Sequence, residues 1–271
     1  NLPVLGNSLA GSYNAKVTQF YIDQTCRAIL QAYKQQIPAK IGVGYGEAET
    51  LSQYRSLWPK EGASLNSVTV IKVIHSDGRP LAVLVNYPLH PTVLKSQNHL
   101  FSADFVGYMR EHLQILIGPD VQPMYFNGAQ GEIVPVILDE DNRFEACDRL
   151  AKSLADTVAT IWKTTDTSDL FHVITQKNSY AFTPQPTPFG LTLPIDLYKT
   201  EMNVIVLNKQ HVFITIPGEL SCLYDKRLKE IGKTLGFGHV SILGLTNDAH
   251  GYMILPESWQ HKTAESALSF G

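Results

Sequence analysis

The stretch Leu81-Ala82-Val83-Leu84-Val85-Asn86-Tyr87-Pro88-Leu89-His90-Pro91-Thr92 governs how the rest of the chain is read. It opens on apolar, partly β-branched residues, with Gly78 and Pro80 before the run and Pro91 after it. A short apolar run with such flanks is a buried strand. His90 stands at its far end, and Pro91 keeps it out of helical geometry. A histidine in that place has a fixed backbone beneath it, which suits a metal ligand. A hydrogen-bonded histidine at a strand end is the plainer alternative. His99 and Asp104 follow in the next loop and at the start of the next helix.

On the N-terminal side, Ser67–His75 reads as a strand, and Ser76-Asp77-Gly78-Arg79 turns it into a hairpin with the Leu81 strand. Ala39–Gly46 alternates apolar with small or polar residues, as a strand does. Its Gly42, Gly44 and Gly46 lack the spacing and the following helix of a dinucleotide loop, so close approach of another backbone is the expectation. Ala15–Tyr33 repeats apolar residues at steps of three and four, an amphipathic helix ended by Pro38. Residues 1–14 read as irregular and Glu47–Asn66 as a polar loop.

On the C-terminal side, helices are predicted over Asp104–Leu116, Arg143–Lys163 and Cys222–Gly236. Strands are predicted over Gln122–Phe126, Leu170–Phe182, Thr200–Leu207, His211–Ile216 and Ser241–Leu245, and a short helical piece after Pro256. Asn127–Pro135 and the proline-rich Pro184–Pro194 read as loops, and Asp139-Glu140-Asp141 as a solvated acidic turn. Hairpins mixed with helices predict an α/β (or α+β) fold, a mixed β-sheet core flanked by helices. No internal repeat and no long linker is visible, so residues 1–271 are expected to form one domain.

Composition narrows the function classes. The 22 Lys and Arg against 25 Asp and Glu give a net charge of −3, without the basic footprint of a nucleic-acid binder. No apolar run approaches a membrane span. Cys26, Cys147 and Cys222 are far apart and form no CxxC pair, which argues against a disulfide scaffold. The first residue is Asn1 rather than Met, so a processed or trimmed start is expected.

Three predicted strands end in residues able to hold a metal: His90, Glu219, and the segment Asn247–Tyr252. Neutral imidazole and carboxylate suit zinc, and a catalytic zinc keeps one position open for water. His250 competes with Tyr252 for that role at this point. There is no GxSxG elbow, and Ser221 reads as a helix N-cap rather than a nucleophile. Cys222 reads as a buried thiol at a helix start, and Asp248 as an Asx-turn residue.

Several of these segments, in this order, resemble the neutral/alkaline non-lysosomal ceramidases. They are Asp77–Asn86 leading to His90-Pro91-Thr92, Asn98-His99-Leu100 with Ser102-Ala103-Asp104, Phe126–Pro135, Pro217-Gly218-Glu219, and Gly244–Asn247 with Gly251-Tyr252. The resemblance covers most of residues 15–271 and lies within that family's N-terminal catalytic domain. It implies a zinc amidase that cleaves ceramide to a sphingoid base and a fatty acid, with a lipid amide as substrate. His90, Glu219 and Tyr252 match zinc-binding residues, and Arg55, in Tyr54-Arg55-Ser56, looks like the arginine that places substrate. Bound zinc would acidify water and polarise the amide carbonyl. Glu132 and His99 are the candidate polar partners beside the reaction, with a structural hydrogen bond as the other reading of each. The resemblance also implies a periplasmic or secreted protein and contact with a membrane surface.

Three departures stand beside it. The immunoglobulin-like C-terminal domain of the family's longer members is not expected in this chain. The family's histidine-rich motif upstream of the Ala15 helix has no match before Asn14, and Val134 occupies the position of a serine in the ceramidases. They leave two other readings open. One is a catalytically altered member acting as a binding protein, and the other a zinc hydrolase of a different amide or ester.

Overall fold

Alternation along the central hairpin sets the layers: Val68 and Val70 on one strand and Val83 and Val85 on the other are fully buried on a common face. A computed structural model describes residues 12–56, 65–137, 142–192 and 198–270. The elements are α1 (Ala15–Lys34), β1 (Ala39–Glu47), β2 (Ser52–Tyr54), β3 (Ser67–His75), β4 (Pro80–Tyr87), α2 (Asp104–Ile117), β5 (Gln122–Asn127), β6 (Ile133–Pro135) and α3 (Arg143–Thr164). They continue as β7 (Val173–Phe182), β8 (Tyr198–Leu207), β9 (His211–Thr215), β10 (Glu219–Leu220), α4 (Cys222–Thr234), β11 (His239–Leu243), β12 (Tyr252–Met253) and α5 (Pro256–Gln260). A 3₁₀ turn at Glu265–Leu268 follows.

Two four-stranded sheets dominate, ordered β1-β3-β4-β5 and β7-β8-β9-β11. In the first, β1, β3 and β4 pair antiparallel and β5 joins β4 parallel after crossing over through α2. In the second, β7, β8 and β9 pair antiparallel and β11 joins β9 parallel after crossing over through α4. The two halves share one plan that the amino-acid sequence does not repeat. Helix α3 runs between them in the chain. The mixed sheets and flanking helices are the predicted α/β architecture.

The core lies where α2 and α3 pack on each other and on the first sheet. Phe105, Met109 and Leu113 of α2 and Leu150, Leu154 and Val158 of α3 meet the four buried valines. Asn142 caps α3 by accepting from the Glu145 N–H at 3.3 Å, while its own amide donates to the Glu145 carboxylate at 3.0 Å. The opposite face of the first sheet meets the second half through polar groups. Thr69 and Ser241 share a hydroxyl hydrogen bond of 2.8 Å, and the Asn86 amide donates to the Ile242 carbonyl at 2.8 Å.

The glycines of β1 pack as expected from a close backbone approach. A Cβ on Gly42 would stand 2.0 Å from the Asp166 carbonyl oxygen, and one on Gly44 2.0 Å from the Thr165 hydroxyl. The missing side chains let the end of α3 lie directly on the strand.

Five local readings change. Glu47–Asn66 is not all loop: β2 lies in it and pairs antiparallel with β6, itself inside the predicted Asn127–Pro135 loop. Three-residue strands carry too little periodicity to stand out in sequence. β4 stops at Tyr87, three residues before His90. The Leu170 strand begins at Val173, and the Ser241 strand spans His239–Leu243. The acidic run Asp139-Glu140-Asp141 lies outside the described residues. Helix α1 forms as predicted but buries none of its residues. No helix among the described residues is long and apolar enough to cross a membrane.

Gly44→Ala is expected to destabilise the fold by about 1–3 kcal/mol, because the new methyl must displace Thr165 and Ile161 from a packed contact. Urea unfolding with an unchanged m-value would report it.

Candidate functional site

The carboxyl ends of the two parallel pairs, β4/β5 and β9/β11, lie side by side. The Gly244 N–H after β11 donates to the Asn127 carbonyl at the end of β5 (2.9 Å). Open α/β sheets place their sites at such strand ends. His90 follows β4, and Glu219 follows β9, the equivalent strand of the second half. Tyr252 follows β11, and β10 pairs parallel with β12 so that Glu219 and Tyr252 are register partners.

Local contacts hold each loop. Past β4, the half-buried Tyr125 donates its hydroxyl hydrogen to the Tyr87 and Leu89 carbonyls, both at 2.9 Å. The Asp104 carboxylate accepts from the Val93, Leu94 and Phe105 N–H groups at 3.1, 2.9 and 2.8 Å, clamping the segment just after His90. Past β11, Leu245 and Asn247 adopt positive φ of 52° and 76°. Such backbone costs about 1–3 kcal/mol per residue and persists where surroundings over-determine it. Here the Asn247 amide donates to the Thr215 hydroxyl at 3.2 Å and the Glu201 carbonyl at 3.3 Å.

The side chains converge. His90 Nδ1 lies 2.8 Å from the Ile133 carbonyl, which can only accept, so Nδ1 carries the proton. Nε2 is thereby turned to the Glu219 carboxylate, 2.6 Å away. Arg55, one residue past β2, donates from Nη2 to the Tyr252 oxygen and the Gly131 carbonyl, both at 3.0 Å. Its guanidinium also lies 5.8 Å from the centre of the Tyr252 ring. The β2–β6 ladder brings Arg55 here, and its own N–H donates to the Glu132 carbonyl at 2.9 Å.

Burial pushes the Tyr252 phenol above its ordinary value, and the Glu219 carboxylate adds to the rise. The hydrogen bond and charge of Arg55 offset part of it. Burial also works against the charge on Arg55, but Tyr252 and Glu265 outweigh it and keep the guanidinium charged. The cluster is part-buried: the His90, Glu219 and Arg55 side chains are 12%, 21% and 35% exposed.

Of the predicted site residues, the structure brings His90, Glu219, Tyr252 and Arg55 together. Glu132 sits behind them, fully buried, accepting the Cys222 N–H at the start of α4 at 3.0 Å. Its acidity is weakened first by burial and further by the charge of Glu265, against hydrogen bonds from Ser221 and Cys222. His99 is exposed on the loop between His90 and Asp104. His250 does not join the cluster; its buried ring lies against Tyr198 and 3.1 Å from the Asp248 carboxylate. Ser221 caps α4 as expected, accepting from Leu223 at 3.3 Å. The cysteines are free: Cys26 is exposed, and Cys147 and Cys222 are buried. Glu265, which ion-pairs with Arg55 at 3.0 Å, gave no sequence signal, since no motif marks it among the residues of the tail.

Among the described residues, no three His, Cys, Asp or Glu side chains gather into a metal group. A cation here would rest on His90 Nε2 and the Glu219 carboxylate, with the Tyr252 oxygen as third donor. That set suits zinc, and an imidazole oriented by a backbone carbonyl on its other nitrogen is the usual support for a ligating histidine.

The fold is shared with solved ceramidase structures. The neutral ceramidase from Pseudomonas aeruginosa superposes with a TM-score of 0.81 over 94% of this chain, at 15% identity. A ceramidase complexed with C2 superposes with the same TM-score over 95% of it, at 14% identity. The chain spans about half the length of these proteins, 52% and 54% of them. No protein-family model and no curated protein sequence matches it.

Glu132→Ala orphans the Cys222 N–H and is expected to cost about 1–3 kcal/mol of stability, whereas Glu132→Gln keeps an acceptor there. Because the folded carboxyl is the weaker acid, the unfolded chain ionises first. Wild-type stability therefore falls as pH rises from the ordinary glutamate value to the raised folded one. Urea titrations across this window should show the fall in wild type and its loss in Glu132→Gln.

Proposed function

We propose that this chain carries the active site of a zinc-dependent hydrolase that cleaves an amide bond, with lipid amides of the ceramide kind as substrates. The observation that carries the reading is the convergence of His90, Glu219, Tyr252 and Arg55 at the carboxyl ends of both parallel strand pairs. The ceramidase-like fold supports it, as do the ceramidase names of both superposed structures.

In this reading His90, Glu219 and Tyr252 hold the metal. Zinc, when bound, supplies an acidified water and polarises the amide carbonyl. The Ile133 carbonyl keeps the proton on His90 Nδ1 and so leaves the Nε2 lone pair for the cation. Arg55, anchored on three partners, places the substrate's carbonyl oxygen and steadies the Tyr252 oxygen. Glu132 supports from behind, holding the start of α4 against the loop that carries Gly131 and Ile133.

A second reading, a zinc hydrolase of another amide or ester, is favoured by Val134. It pairs with Gln53 on the β2–β6 ladder and lines a cavity of about 340 Å³ together with Arg55 and Thr92. A valine offers this cavity no hydroxyl where the ceramidases have a serine.

Elemental analysis of the purified protein is expected to find about one zinc per chain, lost in His90→Ala and in Glu219→Ala. Turnover of ceramides should fall in both by more than ~100-fold, beyond the loss typical of a group that only supports a ligand. Zinc and turnover unchanged in both variants would refute the proposal. Zinc retained by wild type, with esters or shorter amides cleaved in place of ceramides, would select the second reading.

A further inference from the structure

Arg55 is oriented by a residue far from it in the chain. Glu265 begins the last 3₁₀ turn and is 1% exposed. Its Oε1 accepts the Arg55 Nε–H at 3.0 Å, across 210 residues of sequence. Its other oxygen is buried without a hydrogen-bond partner among the described residues. The turn is pressed against the strand that carries Tyr252. A Cβ on Gly251, which holds φ at +82°, would stand 2.1 Å from the Leu268 carbonyl oxygen. Ser266, beside Glu265, is fully buried and donates to the Thr263 carbonyl at 2.6 Å. The carboxylate is therefore presented from a closely packed piece of backbone.

We infer that Glu265 is a positioning residue of the site, fixing the plane of the Arg55 guanidinium so that Nη2 reaches Tyr252 and Gly131 and the remaining donors face the substrate. A guanidinium is a rigid planar fork, so holding its Nε edge on a fixed acceptor determines where both terminal nitrogens lie. Without that acceptor, the chain from Cα to Nε is free to rotate and the contact with Tyr252 becomes one rotamer among several. Glu265 takes no part in the chemistry, because Arg55 stands between it and Tyr252. The dependence is mutual: a carboxylate this buried needs a charged hydrogen-bond donor, and Arg55 supplies it. Glu132 is the other buried carboxylate nearby, and it takes its hydrogen bond from the start of α4 instead. The inference rests on the proposed role of Arg55 in placing substrate.

The test has one arm that requires no turnover. The Arg55 Nε–H signal in a nitrogen-15 spectrum is identified by its absence in Arg55→Lys. In wild type it is expected to exchange with solvent at least ~10-fold more slowly than that of Arg79. Arg79 also meets a carboxylate, Asp77 at 2.9 Å, but on the surface, with its side chain 71% exposed. Glu265→Ala should erase that protection, and Glu265→Gln, which keeps an acceptor oxygen, should restore part of it. In the kinetic arm, Glu265→Ala should lower kcat/KM by ~10–100-fold in the wild-type background and leave it unchanged in an Arg55→Ala background. Protection at Arg55 that survives Glu265→Ala would overturn the inference. So would an equal kinetic loss with and without Arg55, which would assign Glu265 to folding alone. Should Glu265→Ala fail to fold, the wild-type comparison decides, and an Arg55 signal exchanging as fast as that of Arg79 overturns the inference. If the exchange results hold while the wild type cleaves no amide or ester, the hydrolase reading falls and the placement of Arg55 by Glu265 stands.

Discussion

The amide of Asn86 joins the two halves of this protein. Near the end of β4 it is shared among the Phe126 and Asn127 carbonyls of its own sheet, at 3.1 and 3.2 Å, and the Ile242 carbonyl of β11, at 2.8 Å. A buried amide left without acceptors is costly, so the contact specifies one alignment of the sheets rather than merely permitting it. That alignment sets the end of the β4/β5 pair beside the end of the β9/β11 pair. Everything at the candidate site follows from it: the loops after these strands carry His90, Gly131, Glu219 and Tyr252.

The shared plan of the two halves explains why the site sits at their junction. Each half is a three-stranded meander followed by a helical crossover to a parallel fourth strand. Parallel neighbours leave diverging loops at their carboxyl ends, and two such ends facing one another make a cleft with walls from both halves. The first half contributes the imidazole and the second the carboxylate, from loops after the same strand of each plan. The short β2–β6 and β10–β12 pairings then stitch the crossing loops and deliver Arg55 and Tyr252.

Charge is distributed there with little slack. Arg55 faces Glu265 directly and Glu219 through Tyr252, while Glu132 is held at the start of a helix, where backbone N–H groups favour an acceptor. Burial alone would disfavour the charged forms of Arg55, Glu132 and Tyr252. The arrangement survives because each charge meets a charge-assisted hydrogen bond with fixed geometry. Part-burial of His90 and Glu219 leaves a face of the cluster open to solvent.

Much of the fold was legible in the amino-acid sequence, because long strands and helices announce themselves by period. The β3–β4 hairpin, α2, α3, α4 and the β8–β9 hairpin all fall where alternation or the three-and-four spacing puts them. The close approach implied by Gly42, Gly44 and Gly46 was legible too, since glycines on one face of a strand leave room for a neighbour. His90, Glu219 and Tyr252 stood out as metal-capable residues after apolar runs, and the ceramidase-like motifs singled out Arg55. The tertiary structure alone decided that these four meet, that β2 and β6 exist at all, and that Tyr252 rather than His250 faces Glu219. It alone revealed Glu265, an acid in the tail that no motif marks. The reason is physical: periodicity records which face of an element is buried, whereas pairings between residues 43 to 210 positions apart leave no mark on the residues between them.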